Sequence, residues 1–223
     1  MQTLPRRSSE YESDLQRLRE RVLVMGARVE EMIAHAMQAF VRRDEGLAER
    51  VIASDAVVDR LEIEIDRLCL EILAVRQPVA SDLRFVTAVL KAVTDLERIG
   101  DLATNLCERI IGLGEHDLGG PSEQIEEIGQ AALGMLHDAL DAFVARDAVR
   151  AESIMKRDDT VDAAYARVFP ELMAVITRDP SSLHTVHRLQ SIAKYLERIA
   201  DHATNLAEMV VFMVCGEDRR HRA

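Results

Sequence analysis

The sequence contains little that would interrupt a helix and little that would cross a membrane. Among 223 residues there is no tryptophan, aromatic residues make up 4%, and there are only ten glycines and five prolines. Such a composition favours an all-α fold. The longest apolar run, Met209–Cys215, is far shorter than the roughly 20 residues of a membrane span. No apolar signal segment follows Arg6 and Arg7, so a cytoplasmic location is expected.

Basic residues are also fewer than acidic residues. The chain has 28 Lys and Arg against 39 Asp and Glu, a net charge of −11. Nucleic-acid binding requires clustered basic side chains, so that function class is excluded, whereas metal cations or a basic protein surface suit the charge. The three cysteines, Cys69, Cys107 and Cys215, are isolated in apolar helical context and are predicted to be buried thiols in a reducing compartment.

One stretch of the sequence occurs twice. Asp95–Glu108 reads DLERIGDLATNLCE, and 100 residues later Tyr195–Glu208 reads YLERIADHATNLAE, with ten of fourteen positions identical. Two unrelated helices would not share such a string. The chain is therefore an internal duplication.

Apolar periodicity predicts three long helices in each copy. The expected helices span approximately 9–43, 44–76, 81–113, 121–146, 147–177 and 181–215, with polar tails at 1–8 and 216–223. Pro170 predicts a kink in the fifth helix, and Gly114–Ser122 is interpreted as a linker. The predicted fold is all-α: two tandem antiparallel three-helix bundles related by duplication, with domains at 9–114 and 121–216.

An acidic line runs along the third helix of each copy. In the first copy Glu97, Asp101 and Glu108 lie almost opposite the apolar face. A solvated helix face is one interpretation. However, the same line continues towards the N-terminus through apolar Val93 and Val86, which indicates a packed seam where the carboxylates need a partner.

Hairpin geometry brings these acids opposite others. Residues equally far from the turn of a helical hairpin lie at equal height, which pairs Asp59 with Glu97 and Asp55 with Asp101. The same relation in the second copy pairs the remaining four candidates, Asp162 with Glu197 and Asp158 with Asp201. Four carboxylates at one level repel unless bridged, and all-oxygen sites suit Mg²⁺, Ca²⁺, Mn²⁺ or iron. Metal binding is predicted for both copies, with the first slightly favoured.

Alternatives remain open at this point. Arg98 and Arg198 could neutralise the acids as salt bridges, while Asn105, Asn205, Glu108 and Glu208 could act as outer ligands. His202 points off the acidic line and is interpreted as a surface or interface residue. No Glu-x-x-His pair, glycine-rich phosphate loop or nucleophile elbow is present, so an enzyme is disfavoured.

Four strings resemble the PhoU family, the accessory regulators of bacterial phosphate-specific transport. They are LERIGD at Leu96–Asp101, LERIAD at Leu196–Asp201, RQPVASDLR at Arg76–Arg84 and MLHDALDAF at Met135–Phe143. The resemblance spans residues 10–215. It implies two tandem three-helix bundles, commonly dimeric, and a non-enzymatic negative regulator. The implied partners are the phosphate ABC transporter and the phosphate sensor histidine kinase, at the cytoplasmic side of the membrane.

The resemblance also implies multinuclear metal clusters on the paired acids. The positions that match are Asp55, Asp59, Glu97, Asp101, Asp158, Asp162, Glu197 and Asp201. One departure is His202, which stands where the first copy has Leu102, so equal metal occupancy of the two halves is not expected. Two other functions use the same residues: a metal-dependent enzyme built on the carboxylates, and a plain helical scaffold whose acids only pair with arginine.

Overall fold

The computed structural model describes residues 9–114 and 119–216, which are helical almost throughout and contain no strand. In chain order the helices are α1 (Ser9–Arg42), α2 (Glu45–Glu71), α3 (Ala80–Ile110), α4 (Gly120–Ala145), α5 (Ala148–Met155), α6 (Asp158–Arg178) and α7 (Leu183–Cys215). A π-helical turn, Ile72–Arg76, extends α2, and a 3₁₀ turn, Pro180–Ser182, precedes α7. The all-α prediction is confirmed. The predicted tails at 1–8 and 217–223, and residues 115–118 of the predicted linker, lie outside the described residues.

Equivalent tight turns join the first two helices of each copy. Arg43 and Arg146 adopt left-handed conformations with φ of 54° and 52°, which ends α1 and α4. The next residues cap the following helices: Asp44 accepts from the backbone N–H of Leu47 at 2.8 Å, and Asp147 accepts from that of Arg150 at 3.0 Å. Both caps lie where the sequence predicts helix starts.

The fifth predicted helix is divided into α5 and α6 at Lys156 and Arg157, so the prediction of one helix from 147 to 177 was wrong. Pro170 lies inside α6, and the kink predicted there stays a prediction. Cys215 is a second correction, because it is exposed at the end of α7 while Cys69 and Cys107 are buried as predicted. A residue on the last turn of a helix has few neighbours to cover it.

The two copies pack side by side through antiparallel α3 and α7. Arg84, near the start of α3, donates from Nε to the Met213 carbonyl at 3.4 Å, and Arg188, near the start of α7, donates from Nη1 to the Ile111 carbonyl at 2.6 Å. The apolar faces of the two repeated stretches are buried: Leu96, Ile99, Ala103, Leu106 and Ile110, with Leu196, Ile199, Ala203, Leu206 and Val210.

Helices α1 and α4 also cross closely, at two equivalent points. A Cβ built on Gly26 would lie 2.6 Å from Leu140 Cδ2, and one built on Gly129 would lie 2.4 Å from Met37 Cε. These positions correspond under the duplication, so the copies are related by an approximate twofold axis. Among the described residues no helix is long and apolar enough to traverse a bilayer.

Candidate metal centre

The second copy brings its acids close together. Asp162, Glu197 and Asp201 each offer a carboxylate oxygen, and these oxygens all lie within 4.8 Å of one another. Asp162 comes from α6 and the other two from α7, so the group bridges one hairpin. Within 9–114 and 119–216 this is the one group of three acidic, histidine or cysteine side chains with that geometry.

Asp158 completes the set from the first turn of α6. Burial raises the pKa of its carboxyl, and the nearby Asp201 and Asp162 raise it further. A hydrogen bond from the Thr204 hydroxyl, across on α7, offsets part of this rise in pKa, so the two side chains face each other between α6 and α7.

The electrostatics of the second copy favour a cation. Burial is the largest cause that raises the pKa of Glu197 and of Asp201, followed for Glu197 by Asp201 and for Asp201 by Asp162. Lys194 offsets part of the effect on Glu197, while His202 and Arg198 do so on Asp201. The protonated forms are therefore stabilised, and a metal ion would stabilise the ionised forms instead.

The first copy has the same pairs of acids with a different local arrangement. Burial raises the pKa of Asp55, and Asp59 and Asp101 raise it further, which places these three carboxyls near one another across α2 and α3. Glu97 likewise has a raised pKa, from burial first and then from Asp101. Asp55 Oδ1 also lies 3.4 Å from a Cβ built on Gly100, so its carboxylate approaches the α3 backbone.

Arginine contacts the acids in the first copy. Arg98 Nε lies 3.6 Å from Glu97 Oε2, and its Nη1 lies 3.6 Å from Asp101 Oδ2. Both separations exceed hydrogen-bond distance, and the Arg98 side chain is 58% exposed. The arginine therefore neutralises the acids only partly.

Two neighbours of the clusters were not among the predicted ligands. Glu62 has its pKa raised by burial and then by Asp66 and Asp59, so it belongs to the first group. The Thr104 hydroxyl is buried beside the first group, and its equivalent in the second copy, Thr204, hydrogen-bonds to Asp158. The sequence signals were present: Glu62 continues the acid spacing of α2, and both threonines lie one turn beyond the acid pairs of α3 and α7.

His202 lies between the copies, as the interface interpretation requires. Its Nδ1 is 2.8 Å from Asp95 Oδ1, and the Asn205 amide donates to the same oxygen at 3.0 Å. Asn205 is thus oriented towards α3 of the other copy. Beside this contact an open cleft of about 920 Å³, lined in part by Asp158 and Asp201, leads from solvent to the second acid group.

The contact between Asp95 and His202 should contribute to the stability of the folded protein. Asp95→Ala is expected to lower the free energy of unfolding by about 1–3 kcal/mol, because His202 and Asn205 would lose their shared acceptor in a largely buried place. Urea unfolding measures the change. Thr94→Ala, one residue away and exposed, is the matched control and should alter stability by less than about 0.5 kcal/mol. Equal effects of the two variants would contradict the prediction.

All eight predicted carboxylates thus lie on facing sides of the two hairpins, and the oxygen donors fit a hard cation better than a thiolate-binding one. Comparison with known proteins agrees with this architecture. The family model described as PhoU domain matches residues 22–110 and 125–210. The chain belongs to the PhoU family.

Members of the PhoU family resemble it over nearly its whole length. A phosphate-specific transport system accessory protein PhoU homolog of Pseudomonas putida is 40% identical over 217 residues, which cover 96% of this chain and 84% of that protein. The phosphate-specific transport system accessory protein PhoU of Escherichia coli K12 is 35% identical over 214 residues, which cover 96% of this chain and 89% of that protein.

Solved PhoU structures share the fold. The crystal structure of PhoU from Pseudomonas aeruginosa matches with a TM-score of 0.89 and 38% identity, covering 93% of this chain and 100% of that one. The phosphate transport system regulatory protein PhoU from Streptococcus pneumoniae matches with a TM-score of 0.87 and 31% identity, covering 93% and 98%. Two bundles of PhoU type are therefore established for this chain.

Proposed function

We propose that this PhoU-family protein is a non-enzymatic accessory regulator of phosphate-specific transport. The observation that carries the proposal is similarity over nearly the full chain to relatives named for that transport system. Similarity from end to end, rather than over one segment, supports a role shared with these relatives. Regulation by binding also suits a molecule whose acidic groups face each other across rigid hairpins.

The second part of the proposal is that both hairpins bind metal ions. Asp55, Asp59, Glu97 and Asp101 would hold metal in the first bundle, and Asp158, Asp162, Glu197 and Asp201 would hold it in the second. Raised carboxyl pKa values at both sites support it, and so do the three carboxylate oxygens that converge within 4.8 Å in the second bundle. A divalent or iron-type cation would cross-link the helices of each hairpin and stiffen the bundle.

The third part concerns partners. The protein would work on the cytoplasmic side, as a homodimer, between the phosphate ABC transporter and the sensor histidine kinase, and would restrain both uptake and signalling when phosphate is abundant. Its net charge of −11 favours basic partner surfaces.

A deletion strain tests the regulatory role. Without the gene, phosphate-starvation genes are expected to be expressed at high phosphate, because the restraint on the kinase is lost; transcript levels measure this. Complementation with the wild-type gene should restore repression, and a strain carrying the empty vector serves as control. Normal repression in the deletion strain would contradict the proposal.

A further inference from the structure

An aspartate–arginine network, absent from the first copy, holds α4 against the break between α5 and α6. Arg157, the residue before α6, donates from Nη1 to Asp138 Oδ2. Arg150 donates from Nη2 to Asp138 Oδ1 at 2.7 Å and lies 3.0 Å from Asp141 Oδ2. Both arginines thus converge on one α4 carboxylate, and the hydrogen bond from Arg150 is the largest cause that lowers the pKa of Asp138.

The position of Arg157 depends on a missing side chain in α4. A Cβ built on Gly134 would lie 3.2 Å from Arg157 Nη2. The guanidinium therefore lies directly over the helix surface at Gly134, next to Asp138 one turn later. A side chain at this position would require the guanidinium to move by a few tenths of an ångström.

The break tightens the helix immediately before the metal-binding acids. The Arg157 N–H donates to the Ile154 carbonyl at 2.8 Å, a bond to the third preceding residue that is typical of a 3₁₀ turn, with about 3.0 instead of 3.6 residues per turn. The Arg157 carbonyl then accepts from the N–H groups of Thr160 at 3.0 Å and Val161 at 3.3 Å, where α6 begins. Such a turn rotates α6 about its axis relative to α5, and Asp158 is the first residue after it.

The first copy provides an internal comparison. There α2 is unbroken through the equivalent residues, Ser54 replaces Arg157 and donates to its own helix at Val51, and His35 replaces Asp138. Glu31 stands at the position of Gly134. Within the described residues, the copy with the break is also the one whose acids converge within 4.8 Å.

We propose that Asp138 and Arg157 are positioning residues of the second metal site. Their ion pair fixes the turn between α5 and α6, and thereby the rotation that directs Asp158 and Asp162 towards Glu197 and Asp201. The second bundle then binds metal more tightly than the first, because its ligands are already arranged. This inference rests on the proposed metal binding.

The test uses the full chain with the first site disabled by Glu97→Gln and Asp101→Asn, and Mn²⁺ as the probe in calorimetric titration. Adding Asp138→Asn is expected to weaken Mn²⁺ binding about 10–100-fold, the usual cost of removing a residue that orients ligands. Arg157→Gln should have the same effect, and it provides a second, independent test if the Asp138→Asn variant misfolds. Arg157→Lys, which retains the charge, should stay close to the parent.

Further readouts separate positioning from general stability. Asp141→Asn, which removes a contact of Arg150 but none of Arg157, is the matched control and should bind Mn²⁺ like the parent. The metal-free melting temperature of the Asp138→Asn variant should fall, because its ion pairs with Arg150 and Arg157 are lost, and its further rise on adding Mn²⁺ should shrink, whereas that rise should be unchanged in Asp141→Asn.

Two results would overturn the inference in distinguishable ways. Unchanged Mn²⁺ affinity in both Asp138→Asn and Arg157→Gln would refute the positioning role and leave the metal site intact. A parent protein that binds no Mn²⁺, and a wild type purified without any metal, would refute the metal proposal together with the inference.

Discussion

Combining Glu197→Gln with Asp201→Asn will abolish metal binding in the second bundle and raise the melting temperature of the metal-free protein. The affinity should fall by more than about 100-fold, because even residues that only orient ligands contribute about 10–100-fold. The metal-free protein should gain stability because Asp201 no longer repels Asp158, and because Glu197 no longer carries a charge that Asp162 and Asp158 disfavour. Elemental analysis and thermal unfolding after chelation measure the two effects.

The control for this variant makes the same change in net charge elsewhere. Glu49→Gln with Glu127→Gln neutralises two exposed acids on α2 and α4 and should leave metal content unaltered. A fall in the metal-free melting temperature of the Glu197→Gln/Asp201→Asn variant would contradict the repulsion. It would favour the plain scaffold, in which these acids are held by arginines such as Arg198. Retained metal would remove both residues from the site.

The hairpin architecture could be predicted from the sequence because it follows from two periodicities. The helical period defines the apolar stripe that is buried around Leu96 and Leu196, and the offset of the duplication carries the same assignment to the second copy. Equal distance from a turn then implies equal height. This relation depends only on helix rise, so it pairs Asp162 with Glu197 without knowledge of side-chain packing.

The break in the fifth helix could not be predicted from local sequence. It accompanies an ion pair between Arg157 and Asp138, which are 19 residues apart with α5 between them, so no short window of sequence contains the cause. Pro170 is a strong local signal, yet α6 continues through it. Proline removes the hydrogen bond to the carbonyl four residues earlier, that of Ala166, and both residues lie on the exposed face where water can replace the bond.

The contact between the copies was likewise not predicted, although the positions that form it can be found by comparing the two repeated stretches. Four of the fourteen repeated positions differ, and two of these differences are Asp95 for Tyr195 and Leu102 for His202. Antiparallel packing of α3 on α7 brings Asp95 to His202. The same symmetry sets Leu102 at the level of Tyr195. The two repeated stretches therefore face each other with one polar pair and one apolar pair instead of two identical pairs. These two pairs define which face of each helix meets the other.

Lowering the pH from about 7 to about 5 will stabilise the metal-free protein and destabilise the metal-loaded one. Six cluster carboxyls have pKa values raised above the ordinary 3.8 of Asp or 4.5 of Glu, with burial as the first cause in each: Asp55, Glu62, Glu97, Asp158, Glu197 and Asp201. In this range the folded state therefore binds more protons than the unfolded state, so stability falls as pH rises. Bound metal reverses the sign, because protons then compete for its ligands. Urea unfolding at several pH values, with and without chelator, measures both slopes.

Two other groups affect the same experiment and can be separated from the clusters. The pKa of His137 is raised, first by its hydrogen bond to Glu30, so its contribution is present below its ordinary 6.5 and is lost at higher pH, in the same direction as the acids. Asp138 has a lowered pKa, and its contribution is lost only below 3.8, outside the range. His137→Gln should therefore reduce the slope of unfolding free energy against pH in the metal-free protein without changing the sign of that slope. The Glu197→Gln/Asp201→Asn variant should reduce the slope and also weaken the response of stability to metal. Equal slopes with and without metal would show that the acids titrate without binding a cation, and the clusters would then be no more than repulsive faces that the core holds together.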